Sequence, residues 1–166
     1  MKRLLCLLLC IFLLIPFAGC SQEEKTVMFY YLRQRDDYVY GTFDGVVTGE
    51  HRDSSGHTSN TRYLLTLYLQ GPVTEGLVTP FPQNCTLEEV HREGSEISVT
   101  LSNSILSLEG MDRTLACVCL AKTCFSLTRA QTLEIYTRTE TGKAELLDKV
   151  TVSDLLFEEP SSTSEK

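Results

Sequence analysis

The stretch that most restricts the fold of this chain is Leu115 to Ala121, Leu-Ala-Cys-Val-Cys-Leu-Ala. It is the centre of a longer segment, Arg113 to Leu127, that reads as a helix, and its apolar residues leave no polar side. A helix that is apolar all round does not sit at a surface, so this one is expected to be buried. The segments around it read mostly as strands. Thr26 to Leu32 is β-branched and aromatic, Arg33 to Asp37 is a polar turn, and Val46 to His51 is a second strand closed by Asp53-Ser54-Ser55-Gly56. Thr58, Ser59 and Asn60 offer N-caps for Arg62 to Gln70. There Tyr63, Leu65, Leu67 and Leu69 alternate like a strand, while Leu64, Leu65 and Tyr68 fit a helical face. Pattern alone does not choose between them.

Gly71-Pro72 stops that segment, and Gly76, Pro80 and Pro82 mark a turn-rich connection. Thr86 to Arg92 and Ser95 to Leu101 form a hairpin about Glu93-Gly94. In its second arm Ile97, Val99 and Leu101 alternate with Glu96, Ser98 and Thr100. Leu133 and Ile135 flank Glu134 in a further strand, and Thr141-Gly142-Lys143 turns into a last, weaker one. Strands and helices interspersed without strict β-α-β alternation predict an α+β fold. The expectation is a single small domain with one mixed or antiparallel sheet, two helices packed on one face and a more polar opposite face.

The first twenty residues are a different material. Met1-Lys2-Arg3 is a basic n-region, and Leu4 to Phe17 is an apolar run interrupted by Pro16. The run is shorter than the roughly 20 residues a spanning helix needs, but it suits a signal-peptide h-region. It ends in Phe17-Ala18-Gly19-Cys20 and turns polar at Ser21-Gln22-Glu23-Glu24-Lys25. Small residues before a cysteine at this place resemble a bacterial lipobox. The resemblance implies cleavage of residues 1–19, a diacylglyceryl group on the Cys20 sulfur and a short spacer over 20–25. Two acyl chains hold a protein stably at a membrane where one is marginal. The domain would span 26–157, with a frayed acidic, serine-rich tail over 158–166, on the outer face of the cytoplasmic membrane.

Charge narrows the partners. The chain carries 15 basic and 22 acidic residues, and Lys2 and Arg3 leave with the signal, so 13 remain against 22, a net charge of -9. That balance lacks the basic footprint of nucleic-acid binding. Of the 7 cysteines, Cys6 and Cys10 also leave and Cys20 takes lipid. Cys85, Cys117, Cys119 and Cys124 remain. On a helix, positions 117 and 119 point about 200° apart, and 117 and 124 lie about 10 Å apart along the axis, too far for a disulfide. Three packed thiols are therefore expected on the helix, with a bridge from Cys85 to one of them left open.

The patterns of familiar chemistry are missing. His51, His57 and His91 are scattered and make no H-E-x-x-H; there is no G-x-S-x-G, P-loop or G-x-G-x-x-G. Asp36, Asp37 and Asp44 lack Ca²⁺-loop spacing. No catalytic group, metal or cofactor is expected; His51, His57 and Asp53 in a polar loop are the nearest thing to a metal or proton site. Tyr30, Tyr31, Tyr38 and Tyr40 cluster near the start, either covering one side of the sheet or forming a contact patch for a partner or glycan.

A family resemblance runs from about Thr61 to Gly142. It is carried by Leu64-Leu65, Gly71-Pro72-Val73-Thr74-Glu75-Gly76-Leu77, Thr79-Pro80-Phe81-Pro82, the strand Ile97-Ser98-Val99-Thr100-Leu101-Ser102 and the buried helix through Leu120 and Thr123. These resemble the GerMN domain of spore-germination and sporulation proteins, here in one copy. The resemblance implies that Arg62 to Gln70 is a helix and that the fold is similar to ring-building modules of secretion-type assemblies. It also implies an envelope lipoprotein with protein partners in sporulation or the cell envelope. The other reading is a glycan- or small-ligand-binding, even hydrolytic, lipoprotein.

Overall fold

The computed structural model describes residues 26–34, 46–139 and 141–155. The chain opens with the antiparallel pair β1 (Thr26–Arg33) and β2 (Val47–Asp53). Helix α1 (Thr61–Leu69) follows, capped by the Asn60 side chain, which accepts from the Tyr63 amide at 3.0 Å. It buries Leu64, Leu65 and Tyr68, the helical set of the ambiguous segment. A two-residue strand, β3 (Leu77–Val78), returns to β1; its brevity left no periodicity to read. The hairpin is β4 (Leu87–Glu93) and β5 (Glu96–Leu101). A 3-10 turn at Asn103–Ser107 leads to α2 (Gly110–Thr128), which starts three residues before the expected Arg113. Then come β6 (Thr132–Arg138) and β7 (Ala144–Thr151).

The fold is α+β, as expected, but the strands of the described residues form two sheets where a single one was anticipated. The smaller sheet has the order β2-β1-β3, the larger β4-β5-β6-β7. In the larger sheet only β5 and β6 are parallel, joined by α2 as a crossover. The physical reason for two sheets lies in α2 itself. Cys117 and Cys119 point to opposite sides of it, and both are buried. Cys117 faces Asp148 on β7, while Cys119 faces Tyr68 on α1. One sheet can bury only one stripe of a helix; an all-apolar helix needs a wall on each side.

The core follows from this arrangement. Ile97, Val99, Leu101, Leu133 and Ile135 point inward from the larger sheet, and Phe29, Tyr31, Leu64, Leu65 and Tyr68 close the other side. Glu96, Ser98, Glu134 and Tyr136 alternate with the inward set and form a polar outer face. There Lys149 Nζ donates to Glu96 Oε1 at 3.0 Å and Glu134 Oε1 at 2.7 Å, and Arg138 pairs with Glu88.

Candidate functional site

β1 is the strand on which the candidate features meet, and its alternation separates the two described tyrosines of the proposed patch. Tyr31 is 0% exposed, sharing the core with Phe29 and Tyr68, and its hydroxyl donates to the Tyr68 carbonyl oxygen at 2.9 Å. Its inclusion in a surface patch is corrected: one residue's shift along a strand reverses the face. Tyr30 is half-buried on the outer side, opposite Gly49, with the Lys122 ammonium 5.2 Å from its ring centre. Tyr38 and Tyr40, Asp36, Asp37 and Asp44, and the anchor Cys20 lie outside the described residues.

The Tyr30 backbone is held by side chains. Its N–H donates to Thr123 Oγ1 of α2 at 2.9 Å, and its carbonyl accepts from the Tyr68 hydroxyl of α1 at 2.9 Å. β3 pairs only with Leu32 and Arg33, so these two contacts serve part of the β1 edge that β3 does not reach.

A second anchor lies on β2. Glu50 is 3% exposed and was not singled out by sequence. Its Oε1 accepts from the N–H of Val73 at 2.9 Å and of Thr74 at 2.6 Å, and its Oε2 pairs with Arg52 at 3.1 Å. Arg52 also donates to the Gly71 carbonyl at 3.1 Å and lies over the Phe29 ring. Burial alone would raise the Glu50 carboxyl, but hydrogen bonds from Thr74, Arg52 and Val73 outweigh it and hold it below the usual carboxylate range. This gives Gly71-Pro72-Val73-Thr74 its meaning. Gly71 turns the chain at φ 94°, Pro72 cannot continue the helix, and the next two amides are delivered to one carboxylate.

Where β1 begins, β2 ends and α2 ends, a groove of about 500 Å³ opens. Thr26, Val27 and Met28 line it from β1, His51 from β2, Thr58 from the following loop, and Ser126, Leu127 and Arg129 from the end of α2. Of the expected residues it takes in only His51. His57 instead packs at a tilt against Tyr63 with ring centres 4.5 Å apart, His91 is on β4, and Asp53 accepts from the Ser55 amide in its own turn. Arg129 and Ser126 had no sequence signal and Thr58 only that of a helix cap, because loop and helix-end residues converge only through tertiary packing.

Cys85, Cys117, Cys119 and Cys124 are free and buried, so Cys85 forms no bridge. Burial pushes all four thiols up, Cys117 and Cys119 to about 12. Among the described residues no group of three His, Cys, Asp or Glu could hold a metal ion, and no helix is long and apolar enough to cross a membrane.

No family model and no curated protein matches the chain. Solved structures do. The tandem GerMN domains of the sporulation protein GerM from Bacillus subtilis superpose with a TM-score of 0.51 at 19% identity, over 81% of this chain and 48% of that one. The chain thus spans about half the length of that tandem structure. A candidate lipoprotein from Clostridium perfringens matches with a TM-score of 0.47 at 14% identity, over 78% of this chain and 88% of that one. The fold is GerMN-like, in agreement with the resemblance carried by the Gly71-Pro72 turn, the proline-rich connection and the buried helix.

Proposed function

We propose that this chain is a lipid-anchored extracytoplasmic module that docks on other envelope proteins, in sporulation, germination or envelope assembly, and performs no catalysis. The observation that carries the reading is the join between anchor and fold: a GerMN-like domain whose first strand starts at Thr26, six residues after the lipobox Cys20. The similar fold of GerM, a sporulation protein, supports the process. The buried thiols with raised pKa and the dispersed histidines support a role without nucleophilic chemistry. A chain that carries a net charge of -9 once the signal is removed does not favour nucleic acid or an anionic membrane surface, so acyl chains rather than basic residues would hold it in place.

The test is crosslinking in intact cells with recovery of partners, beside a Cys20→Ala variant. The expected result is specific envelope partners for the wild type and loss of membrane attachment for the variant. An exported Cys20→Ala protein that stays membrane-bound would refute the anchor. Absence of crosslinked envelope proteins at native expression would refute the docking role.

A further inference from the structure

We propose that the groove at the start of β1 is a binding site for a phosphate ester, with Arg129 as its charged anchor. In a chain with net charge -7, none of the groove's described lining residues is acidic. Arg129 supplies a permanent cation with a planar array of donors, which suits phosphate oxygens. Ser126 and Thr58 add hydroxyls and His51 a ring nitrogen. Val27, Met28 and Leu127 give the groove an apolar wall, and its volume is in the range of small-ligand sites. The ligand is therefore a phosphate ester on a small organic body, of which phosphoglycerol is the simplest example.

Two further facts point to Arg129. Among the described residues its guanidinium has no hydrogen-bond or ion-pair partner; its only bond there is from its backbone N–H to the Phe125 carbonyl. It also holds a left-handed conformation, φ 56°, at the C-cap of α2, where glycine is the favoured residue. Lys122 and Ser126, four residues apart, share one stripe of α2 beside β1, and Arg129 follows at the C-cap of the same helix.

The ester could come from a phospholipid headgroup or from a soluble compound. Six residues reach at most about 20 Å, so a lipidated Cys20 would keep the groove near headgroups. The lipid source rests on the anchored reading; the chemistry of the groove does not.

The experiment is an NMR titration of the full chain in nonionic detergent micelles. Glycerol 3-phosphate is added, with glycerol as control, and the micelles are separately doped with phosphatidylglycerol or a phosphate-free diacylglycerol. Saturable amide shifts at Thr26, Met28, His51, Ser126 and Arg129 are expected with the phosphate ester and not with glycerol. The same shifts with phosphatidylglycerol assign the source to lipid; shifts with glycerol 3-phosphate alone assign it to a soluble ester, and both support the site. Arg129→Gly puts the favoured residue at the left-handed position, so it should raise the melting temperature while weakening binding at least about tenfold. No saturable shift with either phosphate compound, or undiminished binding by Arg129→Gly, overturns the proposal. Fractionation of Cys20→Ala cells reads the anchor separately, so either idea can fail without the other.

Discussion

The two sheets are held together by different means. The larger sheet follows strand alternation: Ile97, Val99, Leu133 and Ile135 face the core, and its charges, Lys149 with Glu96 and Glu134, lie on the open face. The smaller sheet, with only a two-residue third strand, relies on polar groups at depth. Glu50 gathers the Val73 and Thr74 amides, Arg52 takes the Gly71 carbonyl, and Thr123 and Tyr68 bind the backbone of Tyr30. Charges of similar appearance in sequence thus have opposite weight. A buried carboxylate with three donors is costly to remove, whereas an exposed pair in water is nearly dispensable.

The contrast can be broken first at Glu50. Glu50→Ala leaves Arg52 and two amides without their acceptor and should cost about 3–5 kcal/mol in urea unfolding. A loss below about 1 kcal/mol would show that the clamp is not structural. Next comes the shared wall. Leu120 is buried on α2, and Leu120→Ala should cost about 3 kcal/mol, with both sheets melting together. Separate transitions would mean that α2 does not couple them.

Acid sharpens the same point. The Glu50 carboxyl is held low in the folded chain, so it binds a proton more readily when unfolded. Its stabilisation is present above the unfolded pKa and is lost as pH falls through the folded one. Glu50→Gln should therefore show a shallower acid-side decline of the urea midpoint than the wild type; parallel declines would count against the linkage. Thr123→Val is smaller, leaving the Tyr30 N–H without its partner at about 1–2 kcal/mol. The thiols give a related readout: at neutral pH all four described cysteines should resist alkylation until urea is added, as followed by mass spectrometry. At the bottom of the scale, Lys149→Met on the larger sheet should leave the unfolding midpoint within error.

Much of the larger sheet was legible because its pattern is local. Ile97, Val99 and Leu101 alternate within six residues, and Leu133 and Ile135 repeat the signal. The smaller sheet was half legible. β1 and β2 could be read, but β3 is too short for periodicity, and Glu50 in a strand sequence looks like any solvated acid. The GerMN-like turn at Gly71-Pro72 was recognisable as a motif before its partner was known. Of the groove only His51 had been noticed, as a metal or proton candidate rather than beside Arg129, which is 78 residues away in the chain.

The sequence by itself determined most element types, the ambiguous α1 and the two-residue β3 excepted, together with the α+β class and the burial of α2, because periodicity and capping act over a few residues. Tertiary structure decided what surrounds that helix. Apolar residues on every side demand two walls but do not say which strands build them. It also decided that Tyr31 is core while Tyr30 is half-buried on the outer side, that Glu50 receives the amides after Pro72, and that Arg129 shares a groove with His51. These are meetings between distant segments, and local pattern holds no record of them.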